Sequence, residues 1–289
     1  MSTLIYIFLC IVWGTTWLAI KLGLQEMPPF FGAFIRMLLA ALLLLVYNQI
    51  THQAISGNWR EKLKIAWPGL FIVGISYALA YFGMQYVNSG MAAVLFATIP
   101  LFVVIISPLM NKSDRITTQS IIGVFIGFGG IIVIFNGSIA LNEHSILGSM
   151  LFLSSSAIAG FFTVYQKVYL TKIPIAPMLA WQFSFGGLIL LILSMLTEPW
   201  SGINIGMTGA GSILYLTLFG SILCFAGYYW LLRRFSALSM SMIAFITPIT
   251  ALIAGYLVLD EKLDLNDGLG SILVLASILI VNLKKKLRF

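Results

Sequence analysis

Along this chain the apolar side chains gather into ten long runs separated by short polar breaks. The runs fall at about 3–22, 29–48, 64–86, 91–111, 117–137, 147–170, 176–197, 207–232, 239–259 and 267–283. Each supplies the roughly 20 apolar residues that a bilayer-spanning helix needs. Within a run the apolar character is continuous. A membrane β-barrel would instead show ~10-residue stretches of alternating polarity. The first run begins almost at Met1 without a basic leader or an A-x-A cleavage site, so it predicts a retained helix and not a signal peptide. The expected fold is an all-α integral membrane protein with ten transmembrane helices.

The ten runs divide into two copies of one unit. Gly14, Lys21 and Pro28 reappear as Gly160, Lys167 and Pro174, 146 positions on. Eight residues past each proline stands a long polar side chain, Arg36 and then Gln182. Tyr81 and Pro100 are matched by Tyr229 and Pro248 at an offset of 148, and Gly123 by Gly270 at 147. The order never breaks while the offset drifts by two residues, which is the trace of a duplication with small insertions. The first repeat is 1–140 (helices 1–5) and the second 141–289 (helices 6–10). Five is odd, so the copies cross the membrane in opposite directions, as two inverted five-helix repeats. Such repeats are typical of secondary transporters, whose site lies near mid-membrane where the copies meet.

Composition agrees with the pattern. Only 9% of the residues are charged, against roughly 25% in a soluble domain. Twelve basic residues fall on the side that receives both termini: Arg60, Lys62, Lys64, Lys112, Arg115, Lys172, Arg233, Arg234 and the tail Lys284, Lys285, Lys286 and Arg288. Lys262 and Lys21 fall on the other. This bias is expected to place both termini in the cytoplasm. The net charge of +7 is thus a topology signal, aided by attraction of the tail to anionic lipid. Nucleic acid is not an expected partner, because the charges are spread over short loops. The bilayer and a small-molecule substrate are. The cysteines Cys10 and Cys224 sit inside apolar runs as small hydrophobes, and no cofactor or metal is called for.

The opening "WGTTWLAIKLGLQEMPPFFGAFIRM", Trp13 to Met37, resembles the first two helices of EamA-domain proteins of the drug/metabolite transporter superfamily. The shared elements are Trp13-Gly14, Lys21, the Met27-Pro28-Pro29 stretch and Arg36. "LDEKL", Leu259 to Leu263, resembles the family's acidic-basic step after the ninth helix. The first copy departs from it, reading "MNKSDRIT" without the usual Gly-Glu pair. The resemblance covers the whole chain. It implies a transporter, commonly an exporter of amino acids or other small metabolites.

All nine acidic residues lie in loops or at helix ends: Glu26, Glu61, Asp114, Glu143, Glu198, Asp260, Glu261, Asp264 and Asp267. The histidines His52 and His144 lie in connections. A proton-driven carrier usually keeps an acid or histidine inside the membrane, so transport is expected to run by alternating access without a proton-relay carboxylate. Arg36 lies about two turns into helix 2, roughly 10 Å along its axis, where a cation needs a partner or a ligand. Lys21 and Lys167 lie near helix ends, where they either snorkel to the interface or attract a carboxylate. The aromatic residues Trp13, Trp17, Tyr77, Tyr81, Tyr165 and Tyr229 are expected with Arg36 and Gln182 to line a substrate cavity. Core packing is the other reading of the same aromatics. Trp67 and Trp200 suit an interfacial belt. Pro100 and Pro248 sit in mid-helix, where a lost hydrogen bond kinks the helix. They are expected to act as paired hinges, with Thr98 and Thr247 re-satisfying freed carbonyls. Gly123 and Gly127 mark close helix contacts, with a homodimer through helix 5 or 10 also open.

Two rivals have weaker support. A nucleotide-sugar or lipid-linked carrier would want several cavity cations. A polytopic membrane enzyme would need buried nucleophiles with bases, or metal ligands.

Overall fold

The computed structural model describes residues 1–53, 58–87, 89–110, 116–134, 143–201, 203–259 and 265–282. Lys112, Arg115, Lys262 and the basic tail lie outside the described residues, as do Asp114, Asp260, Glu261 and Asp264. Among the described residues, seven helices are long and apolar enough to cross a membrane, and three shorter apolar helices accompany them. In chain order these are α1 (Ser2–Gly23), α2 (Pro29–Ile50), α3 (Trp59–Gly83), α4 (Ser89–Phe96 and Ile99–Met110) and α5 (Thr118–Ile134). The second set is α6 (Glu143–Tyr165, continued by Gln166–Leu170), α7 (Ile175–Thr197), α8 (Met207–Leu232), α9 (Ala237–Ser241 and Ile243–Leu259) and α10 (Leu265–Asn282).

Two expected helices are broken. In α4 the turn at Ala97–Thr98 separates two pieces, with Leu101 N donating to Thr98 O at 2.9 Å. Pro100 is therefore the second residue of Ile99–Met110 and not a mid-helix kink. Its missing N–H costs nothing there, because the first-turn donors of a helix have no partner within it. In α9 the break falls at Met242, and Phe245 N bonds Met242 O at 3.0 Å. Pro248 stays interior to Ile243–Leu259. It cannot donate to Ala244 O, and the hydroxyl of Thr247 does so instead at 3.1 Å. The chain also widens into π-helical turns at matched places in α3 and α8, Leu70–Ile75 and Leu216–Leu223. A third ends α6 at Gln166–Leu170. Turns of this kind recur at functional sites.

The repeats interlock rather than sit side by side. Contacts of α1 with α8 and α9 are answered by contacts of α6 with α3 and α4, as a two-fold relation requires. Two pairs, α2 with α7 and α5 with α10, relate to themselves. Small residues allow the close crossings. A Cβ on Gly130 would stand 2.8 Å from Gly270 O, and one on Gly270 would stand 2.5 Å from Gly130 O. Gly123 and Gly127 pack on Val281 and on Phe245 and Ser277, so this pair serves packing within one chain.

Charged groups close the two faces differently. On the face of the α1–α2 connection, the Glu198 carboxylate accepts from Phe30 N at 2.7 Å and Phe31 N at 2.8 Å. There Glu26 accepts from Gly209 N at 2.7 Å. Each acid follows one helix and caps the N-terminus of another, where N–H groups lack partners and the helix dipole is positive. On the face of the α2–α3 connection the signs reverse. Lys167 Nζ donates to Leu232 O at 2.7 Å, and Arg233 donates to Ile173 O. The repeat mates have diverged, since Lys21 is exposed.

Candidate substrate site

The helices of the two repeats line a cavity of about 150 Å³. Its wall is built from repeat mates. At an offset of 146 the lining includes Trp13 and Ala159, Thr16 and Phe162, Trp17 and Thr163, and Ile20 and Gln166. At an offset of 148 it includes Tyr77 and Phe225, Ala80 and Tyr228, Tyr81 and Tyr229, Phe96 and Ala244, and Ile99 and Thr247. The cavity therefore straddles the relation between the repeats, where inverted-repeat carriers place their substrate. The shape is shared but the chemistry is not. Mates differ in size at Trp13 and Ala159, and in polarity at Ile20 and Gln166.

Arg36 lines this cavity and is 3% exposed. Its Nε donates to Ser221 Oγ at 2.8 Å and its Nη1 to Tyr81 OH at 3.2 Å. Its Cζ stands 5.1 Å from the centroid of the Tyr77 ring. The π-helical turn of α8 supplies Ser221, whose hydroxyl in turn donates to Leu216 O at 3.0 Å. Gly220 leaves room for the guanidinium, since a Cβ there would meet Nη2 at 3.2 Å. Among the described residues no carboxylate touches Arg36; hydroxyls and a ring face hold it. A guanidinium carries five N–H donors, and two are committed here.

The aromatic wall is ordered by specific contacts. Trp13 Nε1 donates to Gly220 O at 3.2 Å, and its ring packs on Phe225 and Tyr228 at 5.6 and 5.3 Å. Trp17 packs edge-on to Phe96 at 5.1 Å. Tyr77 and Tyr81 stack at 6.2 Å, as residues four apart on one helix face can.

Two expected site residues stand behind the wall. Tyr165 accepts a hydrogen bond from Trp67 Nε1 at 3.1 Å and packs on Phe162. This also draws Trp67 into the bundle, away from a purely interfacial place. Gln182 is 1% exposed, and its Nε2 donates to Ile65 O at 3.1 Å. Its Oε1 accepts from Gln166 Nε2 at 3.0 Å. Gln166, Thr163, Phe96, Ser76 and Ser241 line the cavity without having been singled out in the sequence. The repeat offset points to some of them, because Trp17 plus 146 is Thr163.

The EamA-like transporter family model matches residues 1–136 and again 146–283. The chain belongs to the EamA-like transporter family. This EamA-like protein is a multi-pass membrane transporter. It is 27% identical over 270 residues to the uncharacterized transporter YoaV of Bacillus subtilis, covering 93% of this chain and 92% of that one. It is 29% identical over 282 residues to the uncharacterized inner membrane transporter YedA of Escherichia coli K12, covering 96% and 90%. A crystal structure of another protein superposes with a TM-score of 0.82 at 13% identity, over 98% of both chains. That likeness extends the shared fold well beyond recognisable sequence.

Proposed function

We propose that this EamA-like transporter carries small carboxylate-bearing metabolites, most simply amino acids or related compounds, by alternating access. The observation that carries the reading is Arg36, a buried cavity cation held by hydroxyls and a ring, with no carboxylate partner among the described residues. A buried charge is costly unless paired, and a substrate carboxylate is the natural partner for a planar fork of donors. The surrounding aromatic wall suits an apolar body. A nucleotide sugar would want several cavity cations, and Arg36 is the one Lys or Arg among the described residues lining this cavity. A carrier is also favoured over a membrane enzyme, because the described acids Glu26, Glu61, Glu143, Glu198 and Asp267 lie at helix ends or just beyond them.

For orientation we favour both termini in the cytoplasm. The basic residues Arg60, Lys64, Lys172 and Arg234 gather on the α2–α3 face, and basic loops stay inside. The bacterial inner membrane is the matching location, and export the direction that the family resemblance suggests.

Purified protein in liposomes, offered a panel of labelled amino acids, tests the reading. Saturable flux is expected down a substrate gradient, and it should persist when an ionophore collapses the proton gradient. Arg36→Gln and Arg36→Lys should each cut flux about tenfold or more while remaining monodisperse, because lysine keeps the charge and loses the fork. Normal flux in a well-folded Arg36→Gln protein would remove Arg36 from the site. Absence of flux for every carboxylate offered would sink the proposal.

A further inference from the structure

The cavity contains a second polar feature that Arg36 does not explain. Gln166 is 2% exposed and lines the cavity wall. Its Nε2 donates both to Gln182 Oε1 at 3.0 Å and to Tyr229 OH at 2.8 Å. Its Oε1 is buried and has no hydrogen-bond partner. The orientation of this amide follows from its neighbours. Gln182 Nε2 must face the Ile65 carbonyl, to which it donates at 3.1 Å. Gln182 therefore turns its oxygen toward Gln166, and only an N–H of Gln166 can answer it. A flip of Gln166 would set two carbonyl oxygens against each other. The relay from Ile65 through Gln182 thus holds the Gln166 carbonyl without an acceptor role inside the protein.

Buried side-chain acceptors are rarely left unpaired, and each exception calls for an explanation. Fold maintenance does not supply one here. The repeat mate of Gln166 is Ile20, which lines the same cavity with an aliphatic side chain. The two-fold relation also sets Gln166 and Arg36 at different depths. Arg36 bonds Tyr81, beside Ile20 at one end, while Gln166 bonds Tyr229, the mate of Tyr81, at the other.

Gln166 Oε1 is sealed in this conformation; we propose that a small shift of the cavity wall during the transport cycle opens it as a second recognition point, accepting a hydrogen bond from a donor on the substrate remote from its carboxylate. The inference rests on the reading of Arg36 as the carboxylate anchor. It narrows the substrate class to acids with an apolar body and a distal N–H or O–H group. A site built to bond such a group discriminates against the analogue that lacks it, because its own polar atom is then left unpaired.

Matched pairs test this on the purified full-length protein. L-tyrosine against L-phenylalanine, and L-lysine against L-norleucine, each differ by the distal donor, and affinity is read from competition or binding. In the wild type at least one donor-bearing member should bind about tenfold or more tightly than its mate. Gln166→Met, which removes the acceptor, should bring that ratio to within about twofold of unity. Gln166→Ile, the side chain of the repeat mate, replaces the methionine variant if that fails to fold. Equal binding within both wild-type pairs overturns the inference while leaving Arg36-dependent transport standing. So does a preference that survives removal of the acceptor. Absence of binding by all four compounds, together with absent carboxylate flux, overturns the carrier reading and this inference with it.

Discussion

Neighbouring glycines 129 and 130 lie one residue apart on α5 in opposite surroundings. A Cβ on Gly129 would meet nothing within 4 Å, whereas one on Gly130 would meet Gly270 O and Leu273 Cβ at 2.8 Å. Gly129→Ala should therefore hold or raise the melting temperature, since glycine costs a helix interior roughly 0.5–1 kcal/mol against alanine. Gly130→Ala should lower it, by the roughly 1–3 kcal/mol typical of overpacking. Thermal unfolding of the two variants in detergent checks the contrast, and equal behaviour would contradict the described α5–α10 crossing. Side-chain identity announced part of the cavity in advance. Arg36, Trp13, Trp17, Tyr77, Tyr81 and Tyr229 are large or charged groups inside apolar runs, and all six line it. Tyr165 and Gln182 carry the same marks yet face neighbouring helices. Rotation about a helix axis decides which, and uniformly apolar helices leave that rotation unspecified in the sequence. Gln166 was visible as an amide in an apolar run. Its meaning depends on Gln182 and Ile65, which only folding brings to it.

Ten helices are legible as elements because each must be apolar along its whole length to sit in lipid. Their interruptions are not. A one-residue break at Met242, or a π-helical turn at Leu216–Leu223, changes the hydrogen-bond partner without changing hydropathy. The proline pair drew attention to α4 and α9, but Pro100 proved to start a helix rather than bend one. The caps between elements were equally hidden, since Glu198 stands 167 positions from Phe31, whose N–H it accepts. Glu198→Ala leaves Phe30 and Phe31 without that partner. It should lower stability by about 1 kcal/mol, as loss of a helix N-cap commonly does. Glu198→Gln, keeping one acceptor oxygen, should lose less. Thermal melts of both would show it, and an unchanged alanine variant would mean that the cap contributes nothing.

At the scale of the whole molecule, the two faces differ in the sign of the groups that close them. Carboxylates cap N-termini on one, and cations meet C-terminal carbonyls on the other. If the cationic face is cytoplasmic, reporters fused after Lys172 and after Gly206 should give opposite answers, with the first inside. The reverse pair of signals would invert the orientation proposed above.

Duplicated walls also make the carrier a natural subject for transplantation. Ile20 and Gln166 occupy equivalent places at opposite ends of one chamber. Trading them, as Ile20→Gln with Gln166→Ile, moves an acceptor from one mouth to the other while conserving composition. A carrier with unlike mouths half-saturates at different substrate concentrations from its two sides, even though its equilibrium is unbiased. The trade should shift that ratio toward its reciprocal for a donor-bearing substrate, measured as entry and exit in oriented vesicles. A ratio indifferent to the trade would show that kinetic sidedness resides elsewhere than in these mouths.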